Sequence, residues 1–221
     1  MIMQMGIGME GLEDRILGVA SKIAGRFDEV TYVEIGVGEG GTLTGIASAL
    51  KGFGIRWRAV GIELPNGYSF SQSKTRDFAL MRDLRLFFIT PKNSAANPTW
   101  DAVTVYFKDS QSFLTEHWQG EIHLALIDGC HGKPCVIQDF LAIEAFMPRN
   151  GILMFHDFAA DQVGHFQPHC PTGLDVRGAC RELGLLNGKR TDWKFEGEWG
   201  SKRELGGWDM GIFSREKVNN G

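Results

Sequence analysis

No apolar run in this 221-residue chain approaches the ~20 residues of a membrane-crossing helix, so no membrane span is expected. Lysine- and arginine-rich stretches are missing too. With 23 basic against 27 acidic residues and a net charge of −4, the surface offers little to a polyphosphate, and no nucleic-acid partner is expected. Four cysteines (Cys130, Cys135, Cys170 and Cys180) are too few for a disulfide framework in a chain of this length. Met1–Met9 has no basic n-region and no cleavage-type pattern, which predicts no signal peptide and a cytoplasmic protein. Repeats and low-complexity segments are absent. A hydrophobic content of 43% then allows a sizeable core, and the length suits one full α/β domain and little more.

The most informative pattern that is present runs Val33-Glu34-Ile35-Gly36-Val37-Gly38-Glu39-Gly40-Gly41-Thr42. Tyr32, Val33 and Ile35 suit a buried strand. Gly36, Gly38, Gly40 and Gly41 let the backbone turn tightly and approach a ligand without Cβ interference. Thr42 opens the amphipathic run Leu43, Ile46, Ala47 and Leu50. Strand, glycine turn and helix form the nucleotide-cradling unit of a doubly wound α/β domain. Gly36, Gly38 and Gly41 also satisfy the dinucleotide pattern G-x-G-x-x-G, so a dinucleotide-dependent oxidoreductase is one reading. Glu34 opposes it. A carboxylate here repels a pyrophosphate at the helix N-terminus but suits S-adenosylmethionine, which carries an ammonium and a sulfonium. The E-x-G-x-G-x-G run resembles motif I of the class I S-adenosylmethionine-dependent methyltransferases.

Further along, apolar periodicity predicts an amphipathic helix over 9–24, a strand over 31–35, a helix over 42–51 and a strand over 56–64. A helix over 73–83, a strand over 103–107, a short helix over 113–118 and a strand over 122–127 follow. Then come a helix over 133–146, a strand over 151–155, a long loop over 158–172, a helix over 175–186 and two strands near 193–199 and 208–213. Residues 86–90 look like a strand, yet Pro91, Asn93, Asn97 and Pro98 break up the stretch. The alternation predicts a doubly wound, mostly parallel seven-stranded Rossmann-like sheet with a C-terminal antiparallel hairpin. Residues 1–28 read as a helical extension and 29–221 as a single methyltransferase domain.

Ligands of such sheets lie beyond the carboxyl ends of the strands, near the switch in strand order. Glu63 ends the second strand, where an acid can accept from two ribose hydroxyls. Asp109-Ser110-Gln111 ends the 103–107 strand and suits an adenine edge. The resemblance, carried over by position, implies Gly36, Gly38, Gly40 and Thr42 around the methionine end, Glu63 on the ribose, and Ser110 and Gln111 at the adenine. Glu34, Asp109 and Asp128 complete the expected cofactor shell.

Two segments carry the candidate chemistry: Leu126-Ile127-Asp128-Gly129-Cys130-His131 and Leu153-Met154-Phe155-His156-Asp157-Phe158. Each places ionisable groups at the exit of an apolar strand, where burial without partners costs several kcal/mol. Asp128 and Asp157 on neighbouring strands can share a divalent cation such as Mg or Mn. The order Ile-Asp-Gly-x-His, a helix carrying Asp139, then Gly-Ile-Leu-Met-Phe-His-Asp resembles the small O-methyltransferases, which include metal-dependent catechol and sugar or antibiotic enzymes. In the catechol enzymes a catalytic lysine lies three residues after the metal-binding aspartate, and His131 holds that offset here. The resemblance thus implies His131 as general base beside Asp128, a metal at Asp128, His156 and Asp157, and a small-molecule hydroxyl as acceptor.

Asp157 departs from the family pattern in its flanks, which are His156 and Phe158 rather than asparagine or a second aspartate. Phe158 cannot ligate, and a histidine ligand favours zinc, iron or manganese over magnesium. Other readings stay open: Asp157 bonding loop amides, His131 lining a polar wall, a metal-independent N- or C-methyltransferase, and a cofactor-binding module without turnover. Homo-oligomerisation is equally open. Cys130 and Cys135 flank His131 at a spacing that does not suit structural zinc.

Overall fold

The computed structural model describes residues 12–38, 40–64, 85–89, 98–158, 174–200 and 209–216. The helix expected over 73–83 lies outside the described residues, as does nearly all of the expected 158–172 loop with His165, His169 and Cys170. Helix α1 (Leu12–Ala24) buries Ile16, Val19, Ala20 and Ile23, one stripe at helical spacing. That stripe packs with α2 (Gly41–Gly52) over one face of strand β1 (Glu29–Ile35). Alternation along β1 sends Val30 and Tyr32 to this face, and Val33 and Ile35 to the other. There they meet α3 (Ser110–Glu116), α4 (Lys133–Glu144) and α5 (Val176–Glu182). With both faces covered, the strand is buried from Val30 to Ile35, and its polar residues Thr31 and Glu34 are buried with it.

The sheet runs β3 (Arg85–Ile89), β4 (Ala102–Phe107), β2 (Arg56–Glu63), β1, β5 (Leu124–Ile127), β6 (Ile152–His156), β8 (Asp209–Arg215) and β7 (Trp193–Gly200). Neighbours from β3 through β6 are parallel, and β8 is antiparallel to both β6 and β7. The expected doubly wound frame is present, and β3 adds an eighth strand at its edge. Pro91 and Pro98 fall beyond β3, so neither interrupts its pairing with β4. The C-terminal hairpin folds back so that its second strand, not its first, pairs with β6.

Two helices differ from expectation because of their caps. Asp109 Oδ1 accepts from the Ser112 amide at 2.9 Å and starts α3 at Ser110, ahead of the apolar run that the sequence made visible. Helix α5 ends at Glu182, and Gly184, at φ +83°, turns the chain away. Among the described residues no helix is long and apolar enough to cross a membrane.

The end of β6 is fixed from the side by an aromatic anchor. Phe158 is fully buried, with ring centroids 5.6 Å from Phe195 and 5.9 Å from Phe213. Gly211 of β8 makes room for it, since a Cβ there would sit 2.4 Å from the Phe158 ring. We predict that Gly211→Ala destabilises the protein by roughly 1–3 kcal/mol through overpacking. Chemical denaturation measures this, and an unchanged midpoint would show that Gly211 does not seat the ring.

Candidate functional site

The strand order switches at β1, which the chain leaves toward β2 on one side and meets again through β5 on the other. Sheets of this order receive their ligands in a crevice at these carboxyl ends. Gly36 lies at its base with φ +81°, and a Cβ there would be 2.3 Å from the Asp128 carbonyl oxygen and 2.6 Å from Gly129 Cα. The Asp128 amide donates to the Ile35 carbonyl at 2.8 Å. The exits of β1 and β5 are therefore in backbone contact, and the glycine turn faces the residues that follow β5. Gly40, also left-handed at φ +80°, caps α2, where the Thr44 hydroxyl donates to its carbonyl at 2.7 Å.

Several of the residues expected to meet a cofactor have protein partners at these strand ends. Glu63 Oε2 accepts from the Val37 and Gly38 amides at 2.8 and 3.0 Å, and Oε1 from the Leu64 amide at 2.9 Å. It stands at the end of β2 and ties the glycine turn down. Asp109 caps α3, the Ser110 hydroxyl donates to Asp139 Oδ1 at 2.6 Å, and Gln111 donates to Gln138 Oε1 at 2.8 Å. The 109–111 turn is thereby fixed against α4. Thr42, half-buried, occupies the second position of α2.

Glu34 lies deeper than the sequence suggested. Only 1% of it is exposed, and the Tyr32 hydroxyl, on the same strand face, donates to Oε2. Burial raises the Glu34 carboxyl well above the usual carboxylate range; the Tyr32 hydrogen bond opposes this, while the charges of Asp128 and Glu63 add to it. The result is a buried, hydrogen-bonded acid under the turn whose ionised form is disfavoured. Tyr32 was not foreseen as its partner, although a residue two places earlier on a strand shares its face.

The four chemistry residues do meet. Asp128 Oδ1 is 2.8 Å from His156 Nδ1 and 3.1 Å from His131 Nε2. Asp157 Oδ2 is 3.4 Å from His131 Nδ1, and its Oδ1 is 3.6 Å from His156 Nδ1. The Asp175 amide, at the start of α5, holds the His131 carbonyl at 3.0 Å. Asp157 takes a left-handed conformation, φ +51°, which a short polar side chain tolerates better than most. Burial works to lower the His156 pKa, but Asp128, Asp157 and Asp209 outweigh it and hold the imidazole at about 9. Burial pushes the Asp128 carboxyl up, and the neighbouring imidazoles, the His131 hydrogen bond foremost, more than reverse this.

Close approach is not the same as good bonding. His156 Nδ1 is near enough to Asp128 for charge attraction but misaligned for a hydrogen bond, and both His131 Nδ1 and His156 Nδ1 are buried without a hydrogen-bond partner. Among the described residues, one donor atom from each of Asp128, His131 and His156 lies within 4.8 Å of the others. The cluster therefore offers two imidazoles and a carboxylate to a cation or to an acceptor group.

Comparison with known proteins gives these features a family context. Residues 33–158 match a family model described as a methyltransferase domain. A sequence search of curated proteins gives no match. The O-methyltransferase TomG from Streptomyces achromogenes, involved in tomaymycin synthesis and solved with SAM, is 14% identical with a TM-score of 0.58; the match covers 93% of this chain and 79% of that one. An O-methyltransferase from Bacillus cereus, solved with SAH, is 13% identical with a TM-score of 0.58, covering 96% of this chain and 84% of that one. An rRNA methylase from Streptococcus thermophilus is 9% identical with a TM-score of 0.53, covering 90% and 95%. At these identities the likeness is one of fold.

Asp139 gives the site its own pH signature. Burial raises its carboxyl to about 6, the Ser110 hydrogen bond lowers it in part, and Asp109 raises it. A raised folded pKa contributes stability that is complete below the ordinary aspartate value and is lost as pH rises through about 6. Asp139→Asn keeps an acceptor for Ser110 but cannot ionise. We predict that wild type loses on the order of 3 kcal/mol relative to this variant between pH 4 and pH 8. Paired denaturation curves test this, and a constant difference across that range would refute it.

Proposed function

The chain belongs to the methyltransferase-domain family, and on that premise we propose that it moves the methyl group of S-adenosylmethionine to a hydroxyl oxygen of a small molecule. The observation that carries this reading is the backbone contact at Gly36. It sets the glycine turn, where the donor would bind, against the Asp128–His131–His156–Asp157 group, where an acceptor oxygen can be received. A net charge of −4 favours a small acceptor over a polyanion such as RNA.

In the reaction, the acceptor oxygen attacks the methyl carbon in line with the breaking carbon–sulfur bond. The electron pair of that bond stays on sulfur, giving S-adenosylhomocysteine, a methyl ether and a proton. The carboxylates of Asp128 and Asp157, only partly buried, give a negative field that suits a sulfonium donor. Glu63 offers its remaining acceptor capacity to ribose hydroxyls. The hydroxyl proton leaves through the same cluster, where His131 can take it and where a bound cation would raise the hydroxyl's acidity. A divalent cation such as Mg or Mn, when bound, supplies charge stabilisation for the acceptor oxyanion. Asp128, His156 and Asp157 would hold it, and the buried His156 Nδ1 without a hydrogen-bond partner fits such a role. The protein's share is to position the two reactants and exclude water.

Calorimetry should show binding of S-adenosylhomocysteine and none of NADH; the reverse would overturn the reading. Glu63→Ala should weaken S-adenosylhomocysteine by roughly 10- to 100-fold, the scale of hydrogen bonds to a charged group. Chelators should suppress turnover, whereas chelator-resistant activity would remove the cation.

A further inference from the structure

We propose that His131 is a metal ligand and not the base, and that Asp128, His131 and His156 form a two-imidazole, one-carboxylate site for a divalent first-row transition ion rather than magnesium. The inference rests on the methyltransferase reading only in that the ion would face the acceptor; the donor set itself is a property of these side chains.

Convergence is the first support. The three donor atoms lie within 4.8 Å of one another. Ligands held about 2.0–2.2 Å from a single ion are separated by roughly 3–4 Å, so a small inward movement closes the set. The second support is the state of the imidazoles. His131 has 8% of its side chain exposed, and its Nδ1 has no hydrogen-bond partner; the same is true of the buried His156 Nδ1. A buried polar atom left unpaired costs about 1–3 kcal/mol, and two at one place point to a group that would satisfy them.

The third support is what His131 faces. Both ring nitrogens are directed at carboxylates, Nε2 at Asp128 and Nδ1 at Asp157. A general base needs a lone pair open to an incoming hydroxyl, whereas Nε2 bonds Asp128 and Nδ1 is buried 3.4 Å from Asp157. A ligand needs one nitrogen free for the ion and a carboxylate on the other to fix its tautomer and orientation, and here Nε2 bonds Asp128 while Nδ1 is left without a hydrogen bond.

Ion class follows from the donors. Magnesium takes oxygen ligands in a near-ideal octahedron. At the residue after Asp157, where an oxygen donor would help magnesium, this chain has Phe158, seated in the core against Gly211. Imidazole nitrogens suit manganese, iron, cobalt or zinc far better.

The test uses the full chain stripped with a chelator. Co(II) is titrated by visible absorption, Mn(II), Zn(II) and Mg(II) by calorimetry, and S-adenosylhomocysteine in a separate calorimetric run. Expected are visible Co(II) bands altered from those of the aqua ion, and Mn(II) and Zn(II) bound at least tenfold more tightly than Mg(II). His131→Ala should weaken Co(II) by about 100-fold or more. Magnesium binding as tightly as the others, no metal binding at all, or a folded His131→Ala with unchanged Co(II) affinity would each overturn the proposal. Wild-type selectivity decides the matter even where the variant fails to fold. Binding of S-adenosylhomocysteine without any metal would sink this inference and leave the methyltransferase reading intact; the converse would do the opposite.

Discussion

Gly36 and the Asp128–Gly129 segment touch backbone to backbone, with no room for even one carbon between them. Two strand exits that would otherwise be separated by side chains become one continuous rim. Three further features hang on that contact. The Asp128 amide bonds the end of β1. Glu63 then clamps the glycine turn from the β2 side through Val37 and Gly38. The side chain of Asp128, fixed at its own backbone, reaches outward to both imidazoles. A larger residue at 36 would push the two exits apart and disturb all three.

Charge in the crevice is arranged in layers. Deepest is Glu34, whose ionised form is disfavoured by burial and whose carboxyl accepts from the Tyr32 hydroxyl. Above it Asp128 is shared between His131 and His156, and Asp157 stands across from both rings. The acid whose ionisation burial opposes most thus lies deepest and the ion-paired carboxylates nearer solvent, which is the order that desolvation favours.

Much of this could be read from the sequence, because the signals were local. An apolar strand followed by glycines marked the turn, and apolar runs ending in Asp128 and in His156-Asp157 marked the chemistry. The less legible parts depended on distant partners or on cap chemistry. Phe158 reads as a failed ligand until Gly211, far along the chain, is seen to accommodate its ring. Strand β3 was masked by the prolines that follow it, although its residues are strand-like. The start of α3 depends on the Asp109 cap rather than on the apolar residues that come later. The burial of Glu34 follows from its sharing a face with Tyr32, which opposes the simple picture of an ionised acid greeting a cation.

The placing of β8 between β6 and β7 has a consequence for biosynthesis. A nascent chain emerging from the ribosome makes the glycine turn, Glu63 and Asp128 early, and β6 well before Asp209–Arg215. Until that last segment arrives, β6 has an unpaired flank beside His156, and the ring of Phe158 lacks the glycine that seats it. The side of the glycine turn can thus mature during translation, whereas the side of His156 and Phe158 is completed only when β8 has been made.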